Sequence, residues 1–513
     1  MPHPSPANRA MDLIGWSGLL LGPLGALLVY ALLPAAHLSP PGRATAAVAV
    51  LMAVWWLSEA IPLSATALLP LLLFPLTGAQ SIAAAAAPYA SDVIYLFLGG
   101  FVLGLAMERW GLHRRIALTT ILLVGTGPHR VVGGFMLASA LMSMWVSNTA
   151  TTIMMVPIAM SVIRMVAVAH APRGTPDDQA RSPDPNFDST LLLGIAYAAS
   201  IGGVATLIGT APNAILKGFV ETTLGRQLGF AQWMLLGVPL VAVTLPITWV
   251  YLTRVSQPVR LKSIPGGRGF FRAELRALGP MSTGEWVVFA VFMTTVALWL
   301  TRPLIQRWAV GGGTPLAGLN DASIAIFAAL ALFVIPIRPR ERIFAMDWAT
   351  AERLPWGVLL LFGGGLSLAA AITANGVDAY FGGLLGGLGH LPVWLAVLLV
   401  CTLVIFLTEL TSNTAVTTAL LPVLAAGAPA LGVDPLRLVV PAAIAASMAF
   451  MLPVATPPNA IVFASGRITI SQMSRAGLGL NLICIAIITV FTLIVGDNIV
   501  AVAGAIGTSA PTP

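Results

Sequence analysis

The sequence predicts an all-α polytopic membrane protein of about eleven transmembrane helices plus two re-entrant hairpins, arranged as two inverted repeats. Three observations carry this expectation: the scarcity of charge over 513 residues, a polar tetrad that occurs twice inside apolar stretches, and a lopsided placement of Lys and Arg. Only 9% of the residues are charged and 58% are hydrophobic, whereas an ordinary soluble domain carries about 25% charged residues. Runs of the roughly 17 to 25 apolar residues needed to cross about 30 Å of hydrocarbon recur from Met11 to Val500, which leaves little room for soluble domains.

Apolar runs bounded by Gly, Pro and charge place spans near 12–35, 44–58, 61–78, 92–112, 190–220, 232–252, 286–301, 321–336, 356–374, 437–465 and 477–496. The first run, from Leu13 to Leu33, is long for a signal peptide and has only Arg9 before it, so it reads as a retained helix. Cys401 and Cys484 lie inside apolar segments and read as packing residues. Trp55, Trp56, Trp286 and Trp356 stand near span ends and read as interface anchors. The glycine clusters at Gly99, Gly100 and Gly104 and at Gly363 to Gly365 lack the strand and charged partner of a nucleotide fingerprint. Close helix packing is the role they predict.

Two further apolar stretches, 131–163 and 392–425, each carry Ser-Asn-Thr-Ala near the middle. Each is either one long helix or a hairpin that enters and returns, and charge separates the two. With both as hairpins and the N-terminus cytoplasmic, 20 of the 26 Lys and Arg fall inside, leaving only Arg43, Lys217, Arg226, Arg302, Arg307 and Arg437 outside. Making either stretch a single crossing inverts every later loop and spoils that bias. The expected order is therefore an N-terminal tail and first helix (1–42), a first repeat (43–253) with an inward hairpin 131–163, and a basic cytoplasmic linker (254–285). A second repeat (286–500) with an outward hairpin 392–425 and an external C-terminal tail (501–513) complete it. The same loop placement explains the net charge of +7 without nucleic acid as a partner.

The halves also match in order. LFLGGFVLG at 96–104 answers LLFGGGLSL at 360–368, each is followed by an SNTA, and a proline stands ten residues after each motif serine, at Pro157 and Pro422. GTAPNAI at 209–215 is then answered by ATPPNAI at 455–461, and four of the ten Asn lie in these four motifs. An odd number of crossings per half gives the copies opposite orientation, the arrangement of secondary transporters.

A helix interrupted inside a bilayer exposes N–H and C=O groups that hydrocarbon cannot satisfy, so such breaks line a cavity. Helix N-termini there can hold an anion, and carbonyl, amide and hydroxyl oxygens can hold Na⁺. Each SNT alone is also a good helix N-cap; it is the pairing of copies that points to a site. Glu409, beside the second SNT, matches Met144 in the first half and reads as a local hydrogen-bonding partner. No basic residue is expected near the SNT or Pro-Asn motifs, so an anion bound there needs Na⁺, helix N-termini and amides to balance it. Catalysis is poorly supported: His3, His37, His113, His129, His170 and His390 lie in tails, loops or span ends, and no HExxH, GxSxG or intramembrane aspartate pair occurs. A filter-like ring motif of an ion channel is also missing from the sequence.

On the paired SNT motifs and the two Pro-Asn loops, the chain resembles the divalent anion/sodium symporter family over nearly its whole length. The resemblance implies a homodimer in a bacterial inner membrane, each protomer having a scaffold domain and a transport domain that moves like an elevator. It implies a small divalent anion, most simply a C4 dicarboxylate such as succinate, malate or fumarate, as substrate and Na⁺ as coupling ion. By motif position the substrate would meet Ser147, Asn148, Thr149, Thr210, Ser412, Asn413, Thr414, Thr456 and Pro457. One sodium site would use Ser143, Ser147, Asn148 and Gly209, and the second Thr408, Thr411, Asn413 and Ala455. Ser143 and Thr408 each stand four residues before an SNT serine, which favours symport over the sodium-independent exchange of some relatives. Sulfate or citrate remain alternative cargo within the same fold. One departure is Ala211-Pro212-Asn213 in the first loop, where the second has the more usual Pro457-Pro458-Asn459.

Overall fold

The computed structural model describes residues 6–172, 182–309, 314–380 and 391–504, so the extreme tails, Arg173, Arg181 and His390 lie outside the described residues. Helices α1 (Pro6–Leu32) and α2 (Pro40–Ser58) pair, and α2 starts where the Ser39 hydroxyl accepts the Gly42 N–H ahead of two prolines. The span expected at 61–78 is two pieces, α3 (Leu63–Thr66) and α4 (Leu69–Thr77), because Pro70 has no N–H to continue α3 and instead opens α4. Next come α5 (Ile82–Ala86), α6 (Asp92–Arg109) and α7 (Leu112–Val124). Helix α7, with Arg114 and Arg115 in its first turn, lies where the spans expected at 92–112 and 131–163 leave a loop. Gly111 (φ 71°) and Gly125 (φ 113°) bound it, both in the region that favours glycine.

The first SNT stretch is interrupted: α8 (Pro128–Ser143) stops and α9 (Asn148–His170) begins after the four residues 144–147. The span expected at 190–220 is likewise α10 (Pro185–Gly203) and α11 (Ala211–Thr222). After α12 (Phe230–Val250) the basic linker holds a helix that was not expected, α13 (Gly267–Ala277), followed by α14 (Thr283–Gln306) and α15 (Asp321–Val334). A small antiparallel pair, β1 (Pro336–Arg338) and β2 (Ile343–Phe344), departs from the all-helical expectation before α16 (Trp348–Ala351) and α17 (Trp356–Ala374). The second half repeats the interruptions: α18 (Val393–Thr408) and α19 (Asn413–Gly427) are parted at the second SNT, and α20 (Leu436–Ala446) is parted by residues 447–456 from α21 (Pro457–Ala464), whose first turn is the second Pro-Pro-Asn, helix where a loop was expected. The last helix is α22 (Ile470–Gly504).

Among the described residues, seven helical segments are long and apolar enough to cross a membrane, and five shorter apolar helices accompany them. One large core runs through α6 to α12 and α18 to α22; a second joins α6, α14 and α15; a third joins α2 to α5 with α17 and α19. The glycine clusters do pack helices closely. A Cβ on Gly99 would meet the Ala325 backbone at 2.4 Å, and one on Gly364 the Ala67 carbonyl at 2.3 Å. Cys401 and Cys484 are buried and free. Trp56 corrects the anchor reading: it is fully buried, and its indole N–H donates to the Leu63 carbonyl at 3.2 Å, because α3 folds back over the end of α2. Trp286 and Trp356 remain exposed.

Candidate functional site

Four helices start at the four polar motifs. Ser147 is the N-cap of α9, Thr210 of α11, Ser412 of α19 and Thr456 of α21. The capping reading of each SNT is therefore true locally, but it does not exhaust the motifs. The hydroxyl of Ser147 accepts from Ala150 and that of Thr456 from Asn459, each at 3.3 Å, whereas Thr210 and Ser412 make no side-chain cap bond. Thr152 and Thr417 then donate to the carbonyls of Asn148 and Asn413, at 2.8 and 2.7 Å, one turn into each helix.

The breaks meet one another. In the first half the Thr206 hydroxyl donates to the Met144 carbonyl, so the α10–α11 break lies against the α8–α9 break. Asn213 bridges its own break by donating to the carbonyls of Gly203, Val204 and Thr206 at 3.3, 3.2 and 2.8 Å. Trp233 of α12 adds an indole N–H to the Val204 carbonyl at 2.8 Å. In the second half Asn459 donates to Ala449 and Leu452 at 3.3 and 3.1 Å, the same offsets of ten and seven residues that Asn213 uses to Gly203 and Thr206. There the hairpin side is held by Glu409, whose carboxylate accepts the N–H groups of Phe450, Met451 and Leu452 at 2.7, 2.9 and 3.0 Å and the Asn481 amide at 2.7 Å. The local hydrogen-bonding role read for Glu409 is thus what the geometry shows.

The halves also interlock. Helix α9 packs against α21, and α11 against α19, so each SNT helix lies on the Pro-Asn helix of the other half. Thr210 reaches Ser447, in the opposite break, at 3.4 Å, and the Tyr197 hydroxyl donates to the Phe450 carbonyl at 2.8 Å. These cross-half contacts bring the N-termini of four helices toward one another, each with the positive end of its backbone dipole.

Of the residues expected at the first sodium site, Ser143, Asn148 and Gly209 come together. The Ser143 hydroxyl donates to Asn148 Oδ1, and a Cβ on Gly209 would sit 2.8 Å from the Ser143 carbonyl. Gly203, not singled out beforehand, completes the contact, since a Cβ there would lie 2.6 Å from Asn148 Oδ1. Ser147 stays at the exposed cap. The residues expected at the second site are joined by no direct hydrogen bond to one another: Thr408 and Thr411 donate back to Ile405 and Leu407, each at 3.0 Å, and the Ala455 N–H donates to Leu452 at 3.2 Å. Asn413 Oδ1, however, is buried and accepts nothing, as are Asn213 Oδ1 and Asn459 Oδ1. Buried amide oxygens without donors are expensive unless a ligand supplies positive charge. Neutral hydroxyl, amide and carbonyl oxygens are hard donors, a set that suits Na⁺.

Among the remaining expected contacts, Asn148, Thr149, Thr210, Ser412, Asn413 and Thr414 are half-buried, Pro457 is exposed and Thr456 is buried. Lys217 corrects the expectation that no basic residue lies near the motifs, since it stands one helical turn beyond Asn213. Its ammonium is buried and committed to Glu221 and to the Leu228 carbonyl at 2.9 Å, so it does not serve the motifs. Also missed were Trp233, Tyr197, Ser447 and two backing glycines: a Cβ on Gly237 would meet the Val204 carbonyl at 2.7 Å, and one on Gly477 the Phe450 carbonyl at 2.2 Å. No local pattern flags these, because each serves a break on another helix.

Residues 16–502 match the family model described as the sodium:sulfate symporter transmembrane region. The chain is 42% identical over 483 residues to the sodium-dependent dicarboxylate transporter SdcS of Staphylococcus saprophyticus, covering 94% of this chain and 91% of that protein. It is 43% identical over 473 residues to SdcS of Staphylococcus aureus, covering 92% and 89%. Among solved structures it resembles the Alcanivorax borkumensis YdaH transporter with a TM-score of 0.54 at 15% identity, covering 83% of this chain and 89% of that one. The Neisseria gonorrhoeae MtrF structure resembles it with a TM-score of 0.51 at 13% identity, covering 91% and 96%. At these identities the two structures speak to the fold alone.

Proposed function

The chain belongs to the sodium:sulfate symporter family, membrane transporters and not enzymes, and from that membership we propose that it couples the uptake of a small divalent anion to Na⁺, with a C4 dicarboxylate such as succinate, malate or fumarate as the anion. The observation that carries the proposal is the meeting of four helix N-termini around buried, donor-free amide oxygens, with the nearest ammonium, Lys217, already paired. The names of the relatives favour a dicarboxylate over sulfate or citrate.

In this reading the two carboxylates of the substrate take N–H groups and hydroxyls at the starts of α9 and α19, from Ser147, Asn148 and Thr149 on one side and Ser412, Asn413 and Thr414 on the other. Thr210, Thr456 and Pro457 line the gap between them. One Na⁺ is held by Ser143, Ser147, Asn148 and Gly209 and another by Thr408, Thr411, Asn413 and Ala455. With no free Lys or Arg in the motifs, a dianion enters at a large desolvation cost unless cations enter with it, so Na⁺ and substrate each raise the affinity for the other. We read α8–α12 with α18–α22 as the transport domain, moving like an elevator against a scaffold of α1–α6 and α14–α17. The protein would act as a homodimer in a bacterial plasma membrane with the N-terminus cytoplasmic and the C-terminus external, the hairpins opening to opposite sides.

The test is uptake of labelled succinate into proteoliposomes under an Na⁺ gradient. Uptake is expected to vanish without Na⁺ and to fall to background in Asn148→Ala and in Asn413→Ala. Full-rate uptake without Na⁺ overturns the proposal, and uptake only into vesicles preloaded with dicarboxylate replaces symport by exchange.

A further inference from the structure

Helix α13 carries a basic stripe for which no described residue supplies an ion-pair partner. Its sequence, GRGFFRAELRA, puts Arg268, Arg272 and Arg276 at intervals of four residues, hence on one face over about 12 Å. All three are exposed, and none makes an ion pair with a described residue. The opposite face is spent on the protein. Phe271 is fully buried with its ring 6.3 Å from Phe135 of α8, and Phe270 packs edge-on against Phe271. Glu274, the only acid on the helix, is taken by Arg114 of α7 at 3.0 Å. Arg254, Arg260 and Lys262, in the segment leading to the helix, are exposed as well. Of the other loop arginines, Arg109 pairs with Asp347, Arg115 with Glu285, Arg338 with Glu341 and Arg353 with Glu108, while Arg340 and Arg342 are exposed but stand on a short turn and not on one face of a helix.

The position of the stripe along the membrane normal follows from its neighbours. The chain between the end of α12 and the start of α14, both in segments long and apolar enough to cross a membrane, contains α13. The Trp249 indole, near the end of α12, donates to the His129 carbonyl at the start of α8 at 2.9 Å, and Gly267 of α13 approaches Thr126 just before that start. Helix α13 thus lies level with the ends of several membrane helices, where the surroundings are headgroups. Because its apolar face is already covered by protein, it does not bury itself in the acyl region as a free amphipathic helix does.

We propose that the arginine face of α13 binds the phosphate headgroups of anionic phospholipids in the adjoining leaflet. Guanidinium groups form forked hydrogen bonds with phosphate oxygens, and clusters of basic side chains next to a membrane helix gain electrostatic attraction to an anionic leaflet. Bound lipid lies against the helix that touches both α7 and α8, at the entrance to the first SNT hairpin.

The full-length protein, purified in neutral detergent, is titrated with phosphatidylglycerol and separately with phosphatidylcholine, and bound lipid is counted by native mass spectrometry. Phosphatidylglycerol is expected to be retained at the stripe with at least about tenfold higher affinity than in the variant carrying Arg268→Gln, Arg272→Gln and Arg276→Gln. The Arg→Lys triple at the same positions should recover most of the binding, and a control with Arg340→Gln and Arg342→Gln should keep it. Equal lipid retention by the Gln triple, or equal retention of phosphatidylcholine, overturns the proposal. Displacement of the lipid by an equal concentration of inorganic phosphate assigns the stripe to free anions and overturns it too.

Discussion

In the break after α10 a threonine hydroxyl, an indole and an amide hold the chain, whereas in the break after α20 a carboxylate gathers three consecutive N–H groups. The scaffolding around the two is otherwise alike. An asparagine bridges each break at matching offsets, a glycine of the following helix backs each one, and a threonine one turn into each SNT helix bonds back to the motif asparagine. The difference teaches that interrupted membrane helices share a debt of unsatisfied backbone groups but not a fixed chemistry for meeting it. In the first half the exposed carbonyls are met by donors; in the second the exposed N–H groups are met by one strong acceptor. The second solution concentrates more of the hydrogen bonding in a single side chain.

Removing that side chain is therefore the sharpest way to break the comparison. Glu409→Ala strips the acceptor from three backbone N–H groups and the Asn481 amide and should cost about 3–5 kcal/mol. In detergent this would appear as a large drop in the thermal midpoint, which Glu409→Gln should partly spare by retaining one oxygen. A midpoint unchanged in Glu409→Ala would mean that the second break is held by packing alone. Next in size are the backing glycines. Gly477→Ala places a methyl 2.2 Å from the Phe450 carbonyl, and Gly237→Ala one 2.7 Å from that of Val204. Each must push backbone aside, at about 1–3 kcal/mol, with Gly477→Ala the worse. Reversed ranking in the melting series would show the charged break to be the more yielding of the two. Smallest is Thr206→Val, which removes one hydroxyl donor from the Met144 carbonyl and should cost about 1 kcal/mol. A loss as large as that of Glu409→Ala would erase the distinction between the two halves.

Much of this was legible along the chain. The SNT and Pro-Asn motifs mark the four interruptions because the breaks are built from local chemistry: capping residues, prolines and asparagines that bond to carbonyls seven and ten residues away. Glu409 stood out as a carboxylate among apolar neighbours. Helices α7 and α13 did not, because their arginines read as loop while their burial depends on α8, a partner whose position the sequence does not reveal. Trp56 was misread for the same reason: a tryptophan at a span end faces headgroups or core according to where the next segment turns.

By itself the sequence determined that the chain lives in a bilayer, that it does so as helices, and where the four motif-bearing interruptions fall. Composition and short-range order decide these matters, since hydrocarbon accepts only backbone that satisfies itself. Only the tertiary structure decided which oxygens are spoken for and which are left without donors. Glu409 finds its N–H partners 41 to 43 residues away, and Thr210 finds Ser447 at a separation of 237. Contacts of that range depend on how two halves pack, α9 on α21 and α11 on α19, and no local pattern encodes them.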